Sequence, residues 1–548
     1  MCNTVAMEPG IDHTLRGGWT NGEHALPPHA LRWLRTRTGL GEHPTPIAPD
    51  SVLTVPEPEL SIVGRAALEA VVGPENVLLD RESRLGRSGG MSYVDLLRHR
   101  GCGELAVPDA VVLPADPDEV VAVLRACGEH DIGVIPFGGG TSVVGGVTAL
   151  RGGKHAVIVL DLARLNRLVS IDPLSRLVVL QAGVRATDAE RMLAAHGFTL
   201  GHFPQSFERA TIGGFAATRS AGQASAGYGR FEDMVDGVRL ATPVGELNLG
   251  VAPATAAGPD LKQLVIGSEG AFGVITEVTL RVRPVATHTR YEGYFLDGWD
   301  AATAAVRDLA QHRVLADVTR LSDAEETEVQ LSLTGGVKAG AVKTYLRARR
   351  IADPCLLILG WEAGSAGELA VRRAATMRAL GPHKAIRLGK PIGESWRHGR
   401  FAGPRQRDSL LNVGVCVETL ETATHWSQLS TLRTAVRGAL QRSLNRAVVM
   451  CHVSHAYETG ASLYFTVLAA RADEDPIGQW QRAKRAASEA IAPLGTITHH
   501  HAVGTDHAPY LAGEVGSLGI DVMTSVKRAL DPTGVLNPGK LLPAADRG

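Results

Sequence analysis

Polar and apolar positions follow helical and strand periods along the chain, and they predict a mixture of helices and strands from about residue 107 onward. The motif Asp116-Pro117-Asp118-Glu119 is a capping box with proline at the first helical position, and the residues after it that share one helical face are Val120, Val121, Leu124 and Cys127. Apolar runs predict strands over residues 132–136, 156–161, 177–181 and 289–295. Helices are predicted over residues 30–37 and 299–311, and another opens with a capping box at residues 187–190. The predicted fold class is α+β.

The length of the chain predicts more than one domain, because 548 residues are too many for a single hydrophobic core. Residues 1–60 are rich in proline, histidine and glycine, so they are predicted to be a loosely ordered lead-in. The other predicted units are an N-terminal helical segment at 61–105, an α+β domain at 106–286, a second α+β domain at 287–492 and a C-terminal segment at 493–548.

Composition narrows the class of protein. Lysine and arginine total 56 against 57 for aspartate and glutamate, and the formal charge of −1 argues against a nucleic-acid partner. The six cysteines form no Cys-x-x-Cys pair, which indicates reduced thiols and predicts a cytoplasmic protein. No run approaches the roughly 20 apolar residues that a membrane-spanning helix needs. We therefore expect a globular enzyme that acts on a small molecule.

A glycine-rich loop at residues 136–146 is the first candidate binding motif, with the sequence Pro-Phe-Gly-Gly-Gly-Thr-Ser-Val-Val-Gly-Gly. Glycines let backbone N–H groups approach a phosphate closely, and the hydroxyls of Thr141 and Ser142 add donors. A P-loop would need a lysine before the threonine, and a Rossmann fingerprint would need the glycines to open a helix. Neither requirement is met, so the loop predicts a phosphate contact of another kind.

Two more glycine-rich regions change this interpretation. Residues 205–214 lead into residues 217–222, and residues 267–276 follow about 50 positions later. Any one of these turns is explained by chain reversal alone. Three such turns with serine and threonine hydroxyls in one domain instead suit a long ligand with a pyrophosphate, such as FAD.

Three consecutive histidines, His499 to His501, are the strongest sign of a catalytic site, because three adjacent rings that titrate near neutral pH are hard to explain by packing. The preceding residues predict a turn into a short strand, which would place His499 and His501 on one face and His500 on the other. A solvated or metal-binding run is the alternative. His452 and His455 also suggest a metal, but no clear carboxylate completes a ligand set, so no metal site is predicted.

Together with the closing sequence Leu-Asp-Pro-Thr-Gly-Val-Leu-Asn-Pro-Gly-Lys-Leu-Leu at residues 530–542, these motifs resemble the FAD-binding oxidoreductases of the vanillyl-alcohol oxidase type. The resemblance covers roughly residues 84–542 and is closest to the alkyldihydroxyacetonephosphate synthase branch. The triple histidine is the narrower sign, since the related hydroxy-acid enzymes usually have Glu-His-Gly there. The resemblance implies a two-part PCMH-type FAD-binding domain at 106–286 and a cap, or substrate, domain at 287–492, with the C-terminal segment returning to the FAD-binding domain.

The resemblance also implies where the FAD lies. It is expected to be noncovalent, because the glycine loop contains no histidine or cysteine. The predicted cofactor-binding residues are Pro136, Phe137, Gly138, Gly139, Gly140, Thr141, Ser142, Gln205, Ser206, Phe207, Glu208, Arg209, Ala210, Thr211, Thr218, Arg219, Ser220, Ala221, Glu269, Gly270, Ala271, Phe272, Gly273, Val274 and Ile275. Arg209 departs from the family pattern, in which this residue is apolar or small, and Ala502 stands where glycine is frequent.

The chemistry that the resemblance implies replaces the acyl chain of acyl-dihydroxyacetone phosphate with a fatty alcohol, through flavin N5 and without net redox change. Tyr464 falls at the acid/base position, Arg407 at the substrate-binding position, and His499, His500 and His501 complete the catalytic set. From the residues alone, Tyr464 could equally be a packed aromatic and Arg407 a surface ion pair with Asp408.

Two other function classes stay open. In an FAD-dependent dehydrogenase or oxidase of a 2-hydroxy acid, of the D-lactate or glycolate type, Arg407 would bind a carboxylate and a histidine would take the hydroxyl proton. A flavin-binding protein without turnover is the third class. The lipid-type substrates of the first class make the basic segment 338–350 a candidate contact with an anionic membrane surface, against the alternative of a solvated helix face. A homodimer is also expected.

Overall fold

The structure is a computed structural model that describes residues 12–20, 25–334 and 336–542. Two sheets make up its N-terminal half, with the strand orders β1-β2-β4-β3 and β5-β6-β10-β8-β9. Their strands, with the separate pair β7 and β11, are β1 Val77–Leu78, β2 Ala110–Val112, β3 Ile132–Phe137, β4 Ala156–Asp161, β5 Leu168–Asp172, β6 Leu177–Gln181, β7 Phe198–Thr199, β8 Val235–Thr242, β9 Gly245–Leu249, β10 Val274–Arg281 and β11 Arg283–Pro284.

The helices of this half connect and cover the two sheets. They are α1 Pro28–Thr38, α2 Ile62–Val72, α3 Arg81–Leu85, α4 Tyr93–Arg98, α5 Pro117–Glu129, α6 Ala186–Ala194, α7 Ile212–Thr218, α8 Ser225–Tyr228, α9 Phe231–Met234 and α10 Leu261–Val265. The strands β2 and β3 both run parallel to β4, so the chain between β2 and β3 must cross over, and α5 provides that crossover. The glycine loop follows directly after β3 and therefore lies at the carboxyl edge of this sheet.

The second half is built on one antiparallel sheet with the order β15-β12-β14-β13-β17-β18-β16. Its strands are β12 His288–Asp297, β13 Val318–Ser322, β14 Pro354–Ala363, β15 Ile386–Gly389, β16 Val415–His425, β17 Val448–Val453 and β18 Gly460–Ala470. The remaining helices are α11 Trp299–Gln311, α12 Ala324–Thr334, α13 Gly336–Ala348, α14 Ala366–Leu380, α15 Lys390–Gly399, α16 Gly403–Asn412, α17 Leu429–Ser443, α18 Pro476–Ile491 and α19 Ala508–Leu530.

Side chains alternate between the two faces of this sheet. Leu463, Phe465 and Val467 of β18 are buried in one core with residues of α11, α17 and α18. Tyr464 and Thr466 point the other way and line a cavity between the two halves of the molecule. The period of two therefore separates the residues that stabilise the sheet from those that face the cavity.

The C-terminal segment returns to the first sheet. Val134 of β3 donates its N–H to Val535 O at 2.8 Å and accepts the N–H of Asn537 at 2.8 Å. α19 is interrupted at Gly516, whose φ of 75° lies in the left-handed region. None of the helices in the described ranges combines the length and the apolar character that crossing a membrane requires.

Most of the predicted elements are confirmed. The strands at 156–161 and 177–181 and the helix at 299–311 have the predicted bounds, and Asp116 caps α5 by accepting the N–H of Glu119 at 2.9 Å. The capping box at 187–190 is wrong, because α6 begins one residue earlier with Arg185 as its N-cap. Glu190 instead accepts hydrogen bonds from Thr199, Leu200 and Gly201 and so connects α6 to the segment around β7.

We call residues 12–20 the strap, and the prediction of a loosely ordered lead-in is wrong for its residues 16–19, which are buried. Arg16 is 3% exposed and donates to the carbonyls of Gly86 and Gly140 at 2.9 Å each. Trp19 is also 3% exposed and lies in the wall of the cavity. Histidine and glycine in this segment therefore accompany an irregular path, and buried arginine side chains donate hydrogen bonds to its backbone carbonyls.

Candidate active site

A cavity of about 1230 Å³ lies between the two halves. Pockets for one drug-sized ligand usually measure about 300 to 1,000 Å³, so this volume suits a dinucleotide together with a substrate. The predicted cofactor-binding residues that line it are Pro136, Phe137, Gly138, Gly139, Gly140, Thr141, Ser142, Gln205, Ser206, Ala210, Thr211, Thr218, Ser220, Ala221, Glu269, Gly270, Gly273, Val274 and Ile275. The structure thus brings the three glycine-rich regions to one wall.

The glycine loop presents free donors to this cavity. Across the described part of the chain, the backbone N–H groups of Gly139, Gly140, Thr141 and Ser142 donate to no protein acceptor. A Cβ on Gly139 would lie 2.2 Å from the carbonyl oxygen of Arg209, so no larger residue fits there. Unpaired N–H groups beside a close backbone contact are what a pyrophosphate requires, and the loop therefore fits FAD.

Six predicted cofactor residues lie outside the cavity wall and have other contacts, and two of them, Glu208 and Arg209, contact the strap. The guanidinium of Arg209 is buried and donates to the carbonyls of Asp12 and Leu15 at 2.8 and 2.9 Å, and it lies 4.9 Å from the ring centroid of Trp19. Glu208 accepts the indole N–H of Trp19 at 3.0 Å. Arg209, the departure from the family pattern, therefore holds the strap and does not line the cavity.

The other four have structural roles as well. Arg219 ends α7 with a φ of 50° and donates to the carbonyls of Gln263 and Ile266. Phe207 packs against other aromatic rings, and Ala271 and Phe272 belong to a core formed with the C-terminal segment. The predicted ranges included these residues because they adjoin true wall residues in sequence.

Tyr464 lies among three imidazole rings on the opposite wall. Its ring is stacked 4.8 Å from the ring of His452 and 5.9 Å from that of His500, and it meets His501 edge-on at 5.5 Å. Tyr464, His452, His500 and His501 all line the cavity. Burial raises the pKa of Tyr464 to about 12, so the phenol is protonated at neutral pH.

The triple histidine does not form the predicted strand, and the chain from 498 to 501, which we call the histidine loop, is irregular. The buried carboxylate of Glu421 accepts the N–H groups of His499, His500 and His501 at 2.7, 3.0 and 2.9 Å. Three successive N–H groups can converge on one carboxylate only if the backbone curls, and a strand would point them in alternating directions. His499 packs against His455 and Tyr457, and it is His500 and His501 that contact Tyr464.

Burial sets the charge of the histidine loop. It lowers the pKa of His499 and His500 below the usual value and that of His501 to about 3, so the imidazoles are neutral at pH 7. Burial alone would raise the pKa of Glu421, but the imidazoles and the backbone N–H groups around it hold the value well below its usual range. The site therefore combines a protonated phenol, neutral imidazoles and one buried carboxylate.

Arg407 lies on α16 and also lines the cavity. Its Nη1 donates to Met91 O at 2.8 Å and lies 3.9 Å from Glu418 Oε1, and its buried Nε makes no hydrogen bond to any described residue. Asp408 is 1% exposed and accepts the N–H groups of Trp19 and Thr20 in the strap. The alternative of a surface ion pair between Arg407 and Asp408 is therefore wrong, and Arg407 keeps a donor for a ligand.

Charged residues that the sequence did not single out complete this wall. Arg320 Nη2 lies 2.7 Å from Glu326 Oε1 and 3.0 Å from His452 Nδ1, and Glu326 Oε2 lies 3.2 Å from the same nitrogen. Burial and Arg320 lower the pKa of His452. Arg320, Glu326 and Glu421 carry no local sequence signature, because the histidines that they contact lie between about 80 and 130 positions away.

His452 and His455, which the sequence suggested as a pair of metal ligands, contact different groups of side chains in the structure. His452 contacts Arg320 and Glu326, whereas His455 groups with His499 and His500, whose ligand atoms lie within 4.8 Å of one another. Among the described residues, that group includes no carboxylate or cysteine. His499 already uses both ring nitrogens, toward His500 at 2.9 Å and the hydroxyl of Tyr457 at 2.6 Å. The group is a hydrogen-bonded cluster, and the expectation of no metal stays a prediction.

Comparison with known proteins identifies the chain. The family model of the FAD binding domain matches residues 108–249, and the family model of the C-terminal domain of FAD linked oxidases matches residues 285–541. The alkyldihydroxyacetonephosphate synthase of Trypanosoma brucei brucei is 31% identical over 496 residues, covering 87% of this chain and 80% of the relative. That of Dictyostelium discoideum is also 31% identical, over 493 residues, with the same coverage.

Solved structures of related enzymes have the same fold as this chain. One titled alkyldihydroxyacetonephosphate synthase superimposes with a TM-score of 0.82 at 26% identity and covers 96% of this chain and 99% of that one. The 4-ethylphenol oxidase from Gulosibacter chungangensis shares the fold, with a TM-score of 0.68 at 14% identity over 88% of this chain and 97% of its own. The protein is thus an FAD-dependent enzyme of the FAD-linked oxidase class with a PCMH-type fold. Within that class the chain belongs to the alkyldihydroxyacetonephosphate synthase family, as its motifs predicted.

Proposed function

We propose that the enzyme exchanges the acyl chain of acyl-dihydroxyacetone phosphate for a fatty alcohol, the reaction of an alkylglycerone-phosphate synthase in ether lipid biosynthesis. The observation that carries the proposal is the composition of one cavity wall, where Tyr464 and the imidazoles lie beside Arg407 and a long apolar lining. That lining includes Leu26, Leu331, Leu333, Val342 and Leu410, and on the sheet side Phe295, Leu356, Ile358 and Ile392. A cation next to an apolar wall suits a phosphate attached to an alkyl chain.

Each polar group then has a defined task. When bound, FAD supplies an electrophilic centre at which one substituent replaces another without net oxidation. Arg407 binds the phosphate through its guanidinium, whose Nε makes no hydrogen bond to any described residue. Tyr464 is protonated and serves first as donor, and the neutral imidazoles of His500 and His501 serve as acceptors. An acid/base cycle needs a proton donor and a proton acceptor close to each other. Here the phenol ring of Tyr464 contacts the imidazole rings of His500 and His501.

The test uses the yellow holoenzyme with palmitoyl-dihydroxyacetone phosphate and hexadecanol. The expected result is one alkyl product for each palmitate released, with no reduction of an added electron-accepting dye. The matched control is a protein in which Tyr464→Phe removes only the hydroxyl, which we expect to retain FAD and to lose the exchange. Dye reduction by D-lactate or glycolate without any acyl exchange would contradict the proposal and establish the dehydrogenase function instead.

We also propose that lipid substrates enter from a membrane surface beside α13. Val342 and Leu346 of this helix point inward, and Val342 lines the cavity. Arg347, Arg349 and Arg350 are exposed nearby. The predicted segment also contains Lys338 and Lys343, whose side chains lie outside the described residues. Sedimentation with vesicles of anionic phospholipid at low salt should bring down the native protein and less of a variant with Arg347, Arg349 and Arg350 changed to glutamine. Equal sedimentation of both would refute the contact.

A further inference from the structure

One carboxylate holds the whole histidine loop. Glu421 Oε1 accepts the hydroxyl of Thr498 at 2.7 Å and the N–H groups of His500 and His501 at 3.0 and 2.9 Å. Its Oε2 accepts the N–H of His499 at 2.7 Å. Successive backbone N–H groups that converge in this way form a nest, a concave anion site, and here the anion is a side chain of the protein itself.

The strand that carries Glu421 pairs with the strand that carries Tyr464, the proposed acid/base residue. Glu421 lies on β16 directly opposite Tyr464 on β18, so the two side chains share one face of the sheet. The loop that Glu421 holds comes about 80 residues later in the chain, and its rings at His500 and His501 pack on Tyr464. The same strand pair therefore provides both the tyrosine and the anchor of the rings around it.

Burial makes this anchor sensitive to substitution. The Glu421 side chain is 0% exposed, and a buried carboxylate is stable only when hydrogen bonds satisfy it. Its four donors do so, and they all come from residues 498–501. Replacing the carboxylate with an amide would place an N–H₂ group against one or more N–H groups, which must then move apart.

We propose that Glu421 is the positioning residue of the active site, which fixes the histidine loop so that the rings of His500 and His501 hold Tyr464 in place. Its effect on catalysis rests on the proposed function. Its effect on the loop does not, because all four hydrogen bonds join groups of the protein itself.

The chain offers a matched control for this test. Glu514 also holds the approach to the histidine loop, through the hydroxyl of Thr496 at 2.6 Å and the N–H of Ile497 at 2.8 Å. Glu514 is exposed, and its donors come before the histidines. Glu514→Gln therefore removes a carboxylate charge that accepts hydrogen bonds just before the histidine loop. It leaves the four hydrogen bonds of Glu421 unchanged.

Hydrogen exchange measured by mass spectrometry tests the anchor in the holoenzyme. With Glu421→Gln, a peptide that covers residues 498–503 should exchange at least about tenfold faster than in the native protein, because charge-assisted bonds are lost. With Glu514→Gln the same peptide should exchange at the native rate. Native protection in Glu421→Gln would overturn the proposal. If that variant does not fold, Thr498→Val removes one of the four bonds and should speed exchange by about threefold, and unchanged exchange there would equally overturn it.

Kinetics then separate positioning from simple structural support. With Glu421→Gln, kcat per bound flavin should fall by about 100-fold while KM for the phosphate substrate stays within about threefold, because Arg407 and the glycine loop are unchanged. A lower FAD content with native kcat per flavin would show a structural role only and overturn the proposal. If the native enzyme shows no acyl exchange, the proposed function fails, whereas the hydrogen-exchange result still decides the role of Glu421.

Discussion

The two walls of the cavity are built in different ways. The FAD-binding wall consists of backbone N–H groups and small side chains that come from three glycine-rich regions, at residues 136–146, 205–222 and 267–276. The cap wall includes side chains that come from β12, β13, β14, β16, β17 and β18, from the helices α12, α13, α15 and α16, and from the histidine loop. The first wall binds through local conformation, whereas the second works through contacts between distant segments.

This difference decides which substitutions each wall tolerates. A backbone donor is unaffected when its side chain changes, unless the new side chain fills the space that the ligand or a neighbouring strand needs. A buried charged side chain is lost with a single substitution and leaves its partners unsatisfied. Substitutions in the first wall should therefore act on FAD binding, and those in the second on turnover or substrate affinity.

The largest effect is expected for Gly139→Val in the FAD-binding wall. A Cβ at this position would lie 2.2 Å from Arg209 O, so the loop must move and its N–H groups lose their arrangement. We expect no FAD to be retained after purification. Absorbance near 450 nm measures the retained flavin, and acid precipitation should release the yellow colour of the native protein into the supernatant, as expected for noncovalent FAD.

Gly367→Val is the control for this substitution. Gly367 lies in α14, and a Cβ there would meet no heavy atom within 4 Å. The variant should keep its flavin. Native flavin content in Gly139→Val would contradict the model of the loop as the pyrophosphate site.

The comparison of the walls also explains how far the sequence could predict the structure. Gly138 to Ser142 were predicted to bind the cofactor because a glycine run after a strand fixes its own conformation; they line the cavity, and their contact with FAD stays a prediction. The histidine loop was predicted as a strand, because nothing in its own sequence indicates that Glu421, about 80 residues earlier, collects its N–H groups. The burial of the strap could not be predicted either, since it depends on Arg209, which is distant in sequence.

In the cap wall, Tyr464→Phe should have the largest effect. The substitution removes one hydroxyl and little volume, so FAD content and KM should stay near native values. Loss of a general acid/base typically lowers the rate by about 100-fold to 10,000-fold. Steady-state kinetics on the acyl-exchange reaction measure this, with Tyr510→Phe, at a partly exposed position outside the cavity lining, as the control. Full activity in Tyr464→Phe would transfer the acid/base role to the histidines.

Arg407→Lys should affect affinity, with a smaller effect than the loss of the tyrosine hydroxyl. A lysine keeps the positive charge but replaces a planar fork of donors with a point charge. We expect KM for the phosphate substrate to rise by about tenfold to 100-fold with kcat within about threefold. Arg405→Lys on the same helix is the matched comparison, because Arg405 pairs with Glu208 at 2.9 Å, and it should change KM by less than about threefold. A fall in kcat alone for Arg407→Lys would refute its role in substrate binding.

The smallest effect is expected where the histidine loop ends, at Ala502. Its φ of 73° is left-handed, which costs an alanine about 1 to 2 kcal/mol, whereas glycine adopts it freely. Ala502→Gly should therefore raise the free energy of unfolding by up to about 1 kcal/mol, after the larger conformational entropy of glycine in the unfolded chain is subtracted. Urea denaturation measures this free energy. The control is Ala370→Gly, at an exposed position inside α14, which should lower the free energy of unfolding by about 1 kcal/mol. An equal decrease in the free energy of unfolding of both variants would show that Ala502 is not strained. The nest around Glu421 would then hold the loop without a conformational strain energy at Ala502.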